Sequence, residues 1–233
     1  MDINWDNFET YFFDLDDTLI NTRASIRAGW EAAMEHPELP QSIQKSGVEV
    51  VDYLCLHFSS NAYHEYWKAF VIEMLSSVSD PVKLANDLCT LYEEAYWKNL
   101  APFPGVPEIL ELLQSLNKTL ALITNGILDF QHQKLKKTAL FSVFENTIFC
   151  SESFPFAHKK PSPVMLQTAL KQLQSKKEST VFLGNAPIDI IAGNLAQITT
   201  VAVTHIHNPC QLKLNTPDAF LHCWKKLKTT LER

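Results

Sequence analysis

Residues 180–193, TVFLGNAPIDIIAG, decide the fold. The first half is apolar and β-branched at strand length, the second half carries a helical pattern, and Gly184 and Asn185 sit between them. A strand that is apolar on both faces is the mark of a parallel strand covered on both sides. Four other segments read the same way: YFFDL at 11–15, TLALITN at 119–125, NTIFC at 146–150 and TTVAVTH at 199–205. Helical patterns alternate with them at 105–117, about 128–140, 163–174 and 188–197. Such alternation predicts an α/β fold, a Rossmann-like parallel sheet with right-handed crossovers and helices on both faces.

The interval between the first two strands breaks the alternation. It holds about a hundred residues with almost no strand pattern and four helix-compatible runs, 22–35, 46–59, 60–77 and 81–99. One crossover helix cannot use that much chain, so 20–98 is expected to be an α-helical cap domain inserted after the first strand. The core is then 1–19 with 99–233, and Pro102, Pro104 and Pro107 mark the return.

Composition narrows the function classes. The net charge of −6, with no Lys/Arg cluster, argues against a nucleic-acid polymer as partner. No run approaches the roughly 18 apolar residues of a spanning helix, and the acidic start MDINWDNFET has no signal core, so no membrane association and a cytoplasmic location are expected. The five cysteines, Cys55, Cys89, Cys150, Cys210 and Cys223, are scattered and lack CxxC spacing, which speaks against a disulfide framework or a zinc site. A monomer is favoured.

In an open α/β sheet, ligands gather beyond the carboxyl ends of the strands. Here those ends carry Asp14, Asp16, Asp17 and Thr18 on the first strand, Thr124, Asn125 and Gly126 on the second, and Gly184, Asn185 and Asp189 on the fourth. HKKPSP at 158–163 follows the third strand and brings Lys160. Taken singly, Asp and Asn are ordinary turn formers. Taken together they suit phosphoryl transfer: carboxylates at i and i+2 of extended chain point different ways, so one can attack while the other handles protons. A hydroxyl, a backbone amide and a lysine supply positive potential for phosphoryl oxygens, and carboxylate-bound Mg²⁺ would reduce repulsion between two anions.

DLDDT at 14–18, ITNG at 123–126, KPSP at 160–163 and GNAPID at 184–189 resemble the four ordered motifs of the haloacid dehalogenase superfamily of phosphohydrolases, over about residues 10–205. The resemblance implies Asp14 as the nucleophile that forms an aspartyl-phosphate, and Asp16 as general acid and then base. It implies Thr124, the Asn125 backbone and Lys160 as phosphoryl-binding groups, with Lys160 balancing Asp14. Mg²⁺ would be held by Asp14, the Asp16 backbone carbonyl, Asn185 and Asp189. Thr18 matches the motif threonine that supports the loop, and Asp17 is left with a turn role. Members that cleave carbon–halogen bonds lack the second aspartate, so Asp16 implies phosphate chemistry. The cap position and PFPGVPEILELL at 102–113 look like the branch of nucleotidases and phosphoglycolate or sugar phosphatases.

The expected activity is Mg²⁺-dependent hydrolysis of a small phosphorylated metabolite, a nucleotide, sugar phosphate or phosphoglycolate-like monoester. Asn185 motivates an alternative, because it stands where the family usually has an acidic metal ligand: a catalytically impaired relative with a ligand-binding or regulatory role. A phosphomutase is compatible with the four motifs. Within 20–100, six Lys/Arg face eleven Asp/Glu, so a highly anionic substrate would find little attraction there; Arg23 and Arg27, four apart on one helix face, are the candidates for contact with the leaving group, against a solvated face. Tyr63, Tyr66, Trp67 and Phe70, with Tyr92, Tyr96 and Trp97, fit a cap core by their helical spacing, and base stacking is the other reading. His205 and His207 stay outside the site, since an HxH without a third ligand is weak evidence for metal.

Overall fold

The computed structural model describes residues 3–39, 78–204 and 216–232. The helical candidates 46–59 and 60–77, the aromatic residues Tyr63, Tyr66, Trp67 and Phe70, the cysteines Cys55 and Cys210, and the pair His205 and His207 lie outside them. Two compact units are present, Met1–Asn21 with Ala101–Arg233, and Thr22–Leu100.

The first unit contains six parallel strands: β1 (Thr10–Phe13), β2 (Thr119–Thr124), β3 (Ile148–Cys150), β4 (Thr180–Gly184), β5 (Thr199–Val203) and β6 (Ala219–Leu221), in the spatial order β3-β2-β1-β4-β5-β6. β1 lies inside the sheet, with Phe13 level with Leu122 of β2 and Leu183 of β4. That shared register brings the residues following each strand out together at one edge. Five strands were expected. The sixth is a three-residue edge strand in which Phe220 faces outward and is exposed, so NTPDAFLHC has no apolar run to announce it.

Alternation along the strands separates two cores. On one face Phe12, Ala121, Ile123, Phe149 and Phe182 pack with Met165, Leu166, Ala169 and Leu170 of α6 (Val164–Gln172) and Ala192 and Ala196 of α7 (Pro187–Ala196). On the other, the Phe13 ring lies 6.1 Å from Phe144 of α5 (Phe141–Phe144) and 6.1 Å from Trp224 of α8 (Trp224–Leu231). α3 (Val106–Ser115) contacts α8, and α4 (Leu128–Lys137) follows β2. Phe12, Phe13 and Phe182 have no exposed surface, and each such ring contributes roughly 1.5–3 kcal/mol by leaving water.

The two chain passages at the boundary are tied to each other within this unit. Asn21 N–H donates to Ala101 O at 3.0 Å and Phe103 N–H to Leu19 O at 2.9 Å, around an antiparallel bridge between Ile20 and Pro102. In the second unit, α1 (Thr22–Met34) packs on α2 (Pro81–Asn99), with the Trp30 and Tyr92 rings 4.7 Å apart and Tyr92 stacked on Tyr96. Tyr92 and Tyr96 are buried in that packing. Asp80 caps α2, its carboxylate accepting from Lys83 N–H at 3.0 Å, and Pro81 occupies the first helical position, where no amide bond is lost. Among the described residues no helix is long and apolar enough to cross a membrane.

Candidate active site

β1 runs straight into the site. Asp14, the next residue, keeps strand geometry by donating its N–H to Leu183 O at 2.9 Å. The chain then turns: the amides of Thr18, Leu19 and Ile20 all converge on Leu15 O, and Asp17 takes φ 60° while its N–H donates to Ile20 O at 2.8 Å. Aspartate tolerates this left-handed conformation better than most residues, so an acidic residue at 17 suits the turn.

The Asp14 carboxylate is buried and held at both oxygens. Oδ1 accepts from Lys160 Nζ at 2.6 Å and Oδ2 from the Thr18 hydroxyl at 3.0 Å. Lys160 Nζ also donates to Ile123 O at 2.9 Å and forms an ion pair with Asp189 Oδ1 at 2.7 Å. Its backbone is fixed in turn by the Asn125 side chain, which donates to Lys160 O at 3.0 Å and accepts from Lys160 N–H at 2.9 Å. The Lys160–Pro161 peptide is cis. Asn125 thereby fastens the loop after β3 to the end of β2.

One cation therefore serves two buried carboxylates. Burial pushes the Asp14 carboxyl up to about 7; Lys160 opposes that rise and Asp189 adds to it. Burial alone would lower Lys160, but the charges of Asp14 and Asp189 outweigh it and hold the ammonium well above the usual lysine range. Lys160 is thus a fixed positive charge, and the pair of carboxylates around it carries an unbalanced negative one.

The stretch after β4 is built around close packing. Asp189, in the first turn of α7, accepts from Ala186 N–H at 2.9 Å through Oδ2 and presents Oδ1 to Lys160. A Cβ at Gly184 would stand 2.4 Å from the Asp189 Cβ, so only glycine lets this carboxylate lie against the strand. Gly184→Ala is expected to lower stability by about 1–3 kcal/mol, as overpacked sites do, and to displace Asp189 from Lys160. Thermal melting together with phosphate release would check this, and an Ala variant as stable as wild type would contradict it. Asn185 is also buried, and its Oδ1 accepts from Thr18 Oγ1 at 3.1 Å. Thr18 thus offers one hydroxyl proton to Asp14 Oδ2 and Asn185 Oδ1, which places the two oxygens on a common neighbour.

Two further residues at this edge were not anticipated. Gln131 and Lys134, on α4, are buried, and both reach Asp16: Lys134 Nζ lies 2.7 Å from Oδ1 and Gln131 Nε2 donates to Oδ2 at 3.0 Å. Gln131 Nε2 also donates to the Thr124 hydroxyl at 2.8 Å. The readable signal was periodicity, because the inward positions of α4 are Gln131, Lys134 and Leu135, and polar residues on a helix's core face need partners.

Asp14, Asp16, Thr18, Thr124, Asn125, Lys160, Gly184, Asn185 and Asp189 are brought to one sheet edge by these bonds. Arg23 belongs to the other compact unit, where it is exposed on α1, and Arg27 lies 3.7 Å from Glu31 in an exposed i,i+4 pair. The described cysteines Cys89, Cys150 and Cys223 are free thiols.

The profile of the family described as haloacid dehalogenase-like hydrolase matches residues 11–203. The chain is 25% identical over 227 residues to pyrophosphatase PpaX of Oceanobacillus iheyensis, spanning 96% of each protein. It is 30% identical over 222 residues to phosphoglycolate phosphatase of Neisseria meningitidis serogroup A, spanning 91% of this chain and 86% of that one. Among solved structures, a HAD family hydrolase from Deinococcus radiodurans R1 with bound phosphate and sodium superposes with a TM-score of 0.71 at 18% identity, over 97% of this chain and 95% of that one.

Proposed function

Because this chain belongs to the haloacid dehalogenase-like hydrolase family and is a phosphatase of it, we propose that it hydrolyses a small phosphomonoester through an aspartyl-phosphate on Asp14, with Mg²⁺ as cofactor. The observation that carries the reading is the buried Asp14 carboxylate, 2.6 Å from the buried Lys160 ammonium, with a second carboxylate two residues on. An Asp14 oxygen attacks phosphorus, the bond from phosphorus to the ester oxygen breaks, and Asp16 gives that oxygen a proton. Water then attacks the phosphorus, Asp16 takes the proton, and the bond to Asp14 breaks to release inorganic phosphate. Thr124, which accepts from Gln131, directs its own hydroxyl proton at a phosphoryl oxygen; the Asn125 backbone and Lys160 complete the cradle. The substrate is a nucleotide, sugar phosphate or phosphoglycolate-like monoester, its leaving group a nucleoside, sugar or glycolate-like alcohol, and the likeness to a phosphoglycolate phosphatase and a pyrophosphatase supports a small phosphorylated substrate.

The residues fit Mg²⁺. Among the described residues no three His, Cys, Asp or Glu side chains are grouped as a protein-only metal cage, but Mg²⁺ needs only one or two carboxylates with waters and substrate phosphate. Asp14 Oδ2 and Asn185 Oδ1 lie about one hydroxyl, and a buried carboxylate whose ionised form is penalised by burial gains from a nearby cation. Asp14, Asn185 and the Asp16 carbonyl would hold the ion, with Asp189 completing the charge around it. Bound there, it would offset repulsion between Asp14 and the phosphoryl group.

The test is a screen of phosphorylated metabolites against wild type and Asn185→Asp with Mg²⁺ titrated. A full charge about 4 Å from the ion is of order 4 kcal/mol at an effective dielectric near 20, partly offset by desolvation. Asn185→Asp is therefore expected to reach half-maximal rate at about tenfold lower Mg²⁺. Folded proteins that release no phosphate at high Mg²⁺ would refute the enzyme reading. Turnover by the Asp variant alone would make the natural chain a binding or regulatory relative.

A further inference from the structure

We propose that Lys134 is a positioning residue for proton transfer, which with Gln131 grips both carboxylate oxygens of Asp16 and so ties the rate to the basicity of the leaving group. The inference rests on the role proposed for Asp16. Lys134 is buried, and a buried ammonium is tolerable only with a close counter-ion; its Nζ stands 2.7 Å from Asp16 Oδ1 and 4.8 Å above the centre of the Phe130 ring. A single contact would leave the carboxylate to turn about its last torsion, which is a broad one in aspartate. Gln131 supplies the second point at Oδ2, 3.0 Å away, and two donors on two oxygens set the plane of the group.

Gln131 is itself located by Thr124 and by the Asn125 carbonyl, 2.8 and 3.4 Å from Nε2. It reaches them because residue 126 is glycine: a Cβ there would lie 2.8 Å from Nε2. The same amide thus touches the group proposed to move protons and the hydroxyl proposed to bind phosphate, while Lys134 touches only the former. Removing Lys134 should then disturb the leaving-group step while leaving Thr124 and its amide partner in place.

The experiment compares kcat/KM for an alkyl phosphate, glycerol 3-phosphate, and an aryl phosphate, para-nitrophenyl phosphate, since kcat/KM reports events through the first phosphoryl transfer. The alkoxide must be protonated as it leaves, whereas the nitrophenolate is stable as an anion. A positioned acid is commonly worth 10²–10⁴-fold. In Lys134→Met the alkyl-to-aryl ratio is expected to fall at least tenfold, Lys134→Arg should recover most of it, and on an Asp16→Asn background Lys134→Met should change the ratio no further. Equal losses on both esters, or a ratio that keeps falling on that background, would overturn the proposal and leave Lys134 a structural residue. Should melting show Lys134→Met to be unfolded, Lys134→Gln decides by the same ratio. Failure of wild type on both esters would overturn the phosphatase reading itself, which separates that failure from this one.

Discussion

Asp14→Asn is expected to abolish phosphate release and, at the same time, to raise the melting temperature of the metal-free protein at pH 8. An amide cannot form the acyl phosphate, so the loss of activity should reach the background of the assay. The gain in stability follows from removing a charge that is costly to bury. With Asp14 ionised, Lys160 stands between two buried carboxylates; with Asn at 14 it keeps Asp189 as partner and the excess negative charge is gone. The pH dependence has a definite sign. The folded-state pKa of Asp14 is about 7, raised by burial from an ordinary value near 4. Its contribution to stability is therefore fully present below pH 4 and is lost as pH rises through 7, because the unfolded chain gives up the proton first. Asn cannot titrate, so the variant should gain on wild type across that window, by an amount on the order of 1 kcal/mol or more at pH 8. Mg²⁺ should stabilise wild type and have much less effect on the variant. Melting curves from pH 4 to 8 with and without Mg²⁺ measure all of this. Retained activity would remove Asp14 from the mechanism, and a wild type more stable than the variant at pH 8 would contradict the charge argument.

Lys160→Met should act in the opposite direction on stability. It leaves Asp14 and Asp189 buried without their shared cation and Ile123 O without its donor. Breaking a buried pair by removing one partner typically costs 3–5 kcal/mol, about 10 °C or more for a chain of this size. Activity should fall by about 10²–10³-fold or beyond, because the positive charge proposed to face the transferring group is lost. The variants should also be non-additive. In Lys160→Met combined with Asp14→Asn only Asp189 remains uncompensated, so the double variant should be more stable than Lys160→Met alone. Equal stabilities, or a Lys160→Met protein that melts like wild type, would mean that the carboxylates are relieved in some other way.

The sheet was legible because a parallel strand covered on both faces must be apolar nearly throughout, and five segments are. β6 was not, since an edge strand of three residues with Phe220 turned outward has no such requirement. At the strand ends, order and residue type could be read along the chain, but the bonds between them could not. Nothing in TNG shows that Asn125 would use both ends of its amide on the backbone of a residue thirty-five positions later. Gln131 and Lys134 were hidden for a different reason. A polar residue on a helix reads as solvated unless its partner is known, and their partner, Asp16, lies far away in sequence. The amide of Asn185 was conspicuous from the start, and what the fold adds is its neighbour, the Thr18 hydroxyl that also serves Asp14.

The interior position of β1 bears on how the protein is made. β1 is synthesised before the strands that flank it, since Thr10 pairs with Thr119 and Thr180, more than a hundred residues later. At about 5–20 residues per second, the ribosome holds Asp14 for many seconds before the strands that flank it exist. Contacts so distant along the chain also close slowly. Asp14, the proposed nucleophile, is therefore translated before most of the site yet acquires its surroundings late, and a nascent chain stalled before residue 180 would carry it without the means to use it.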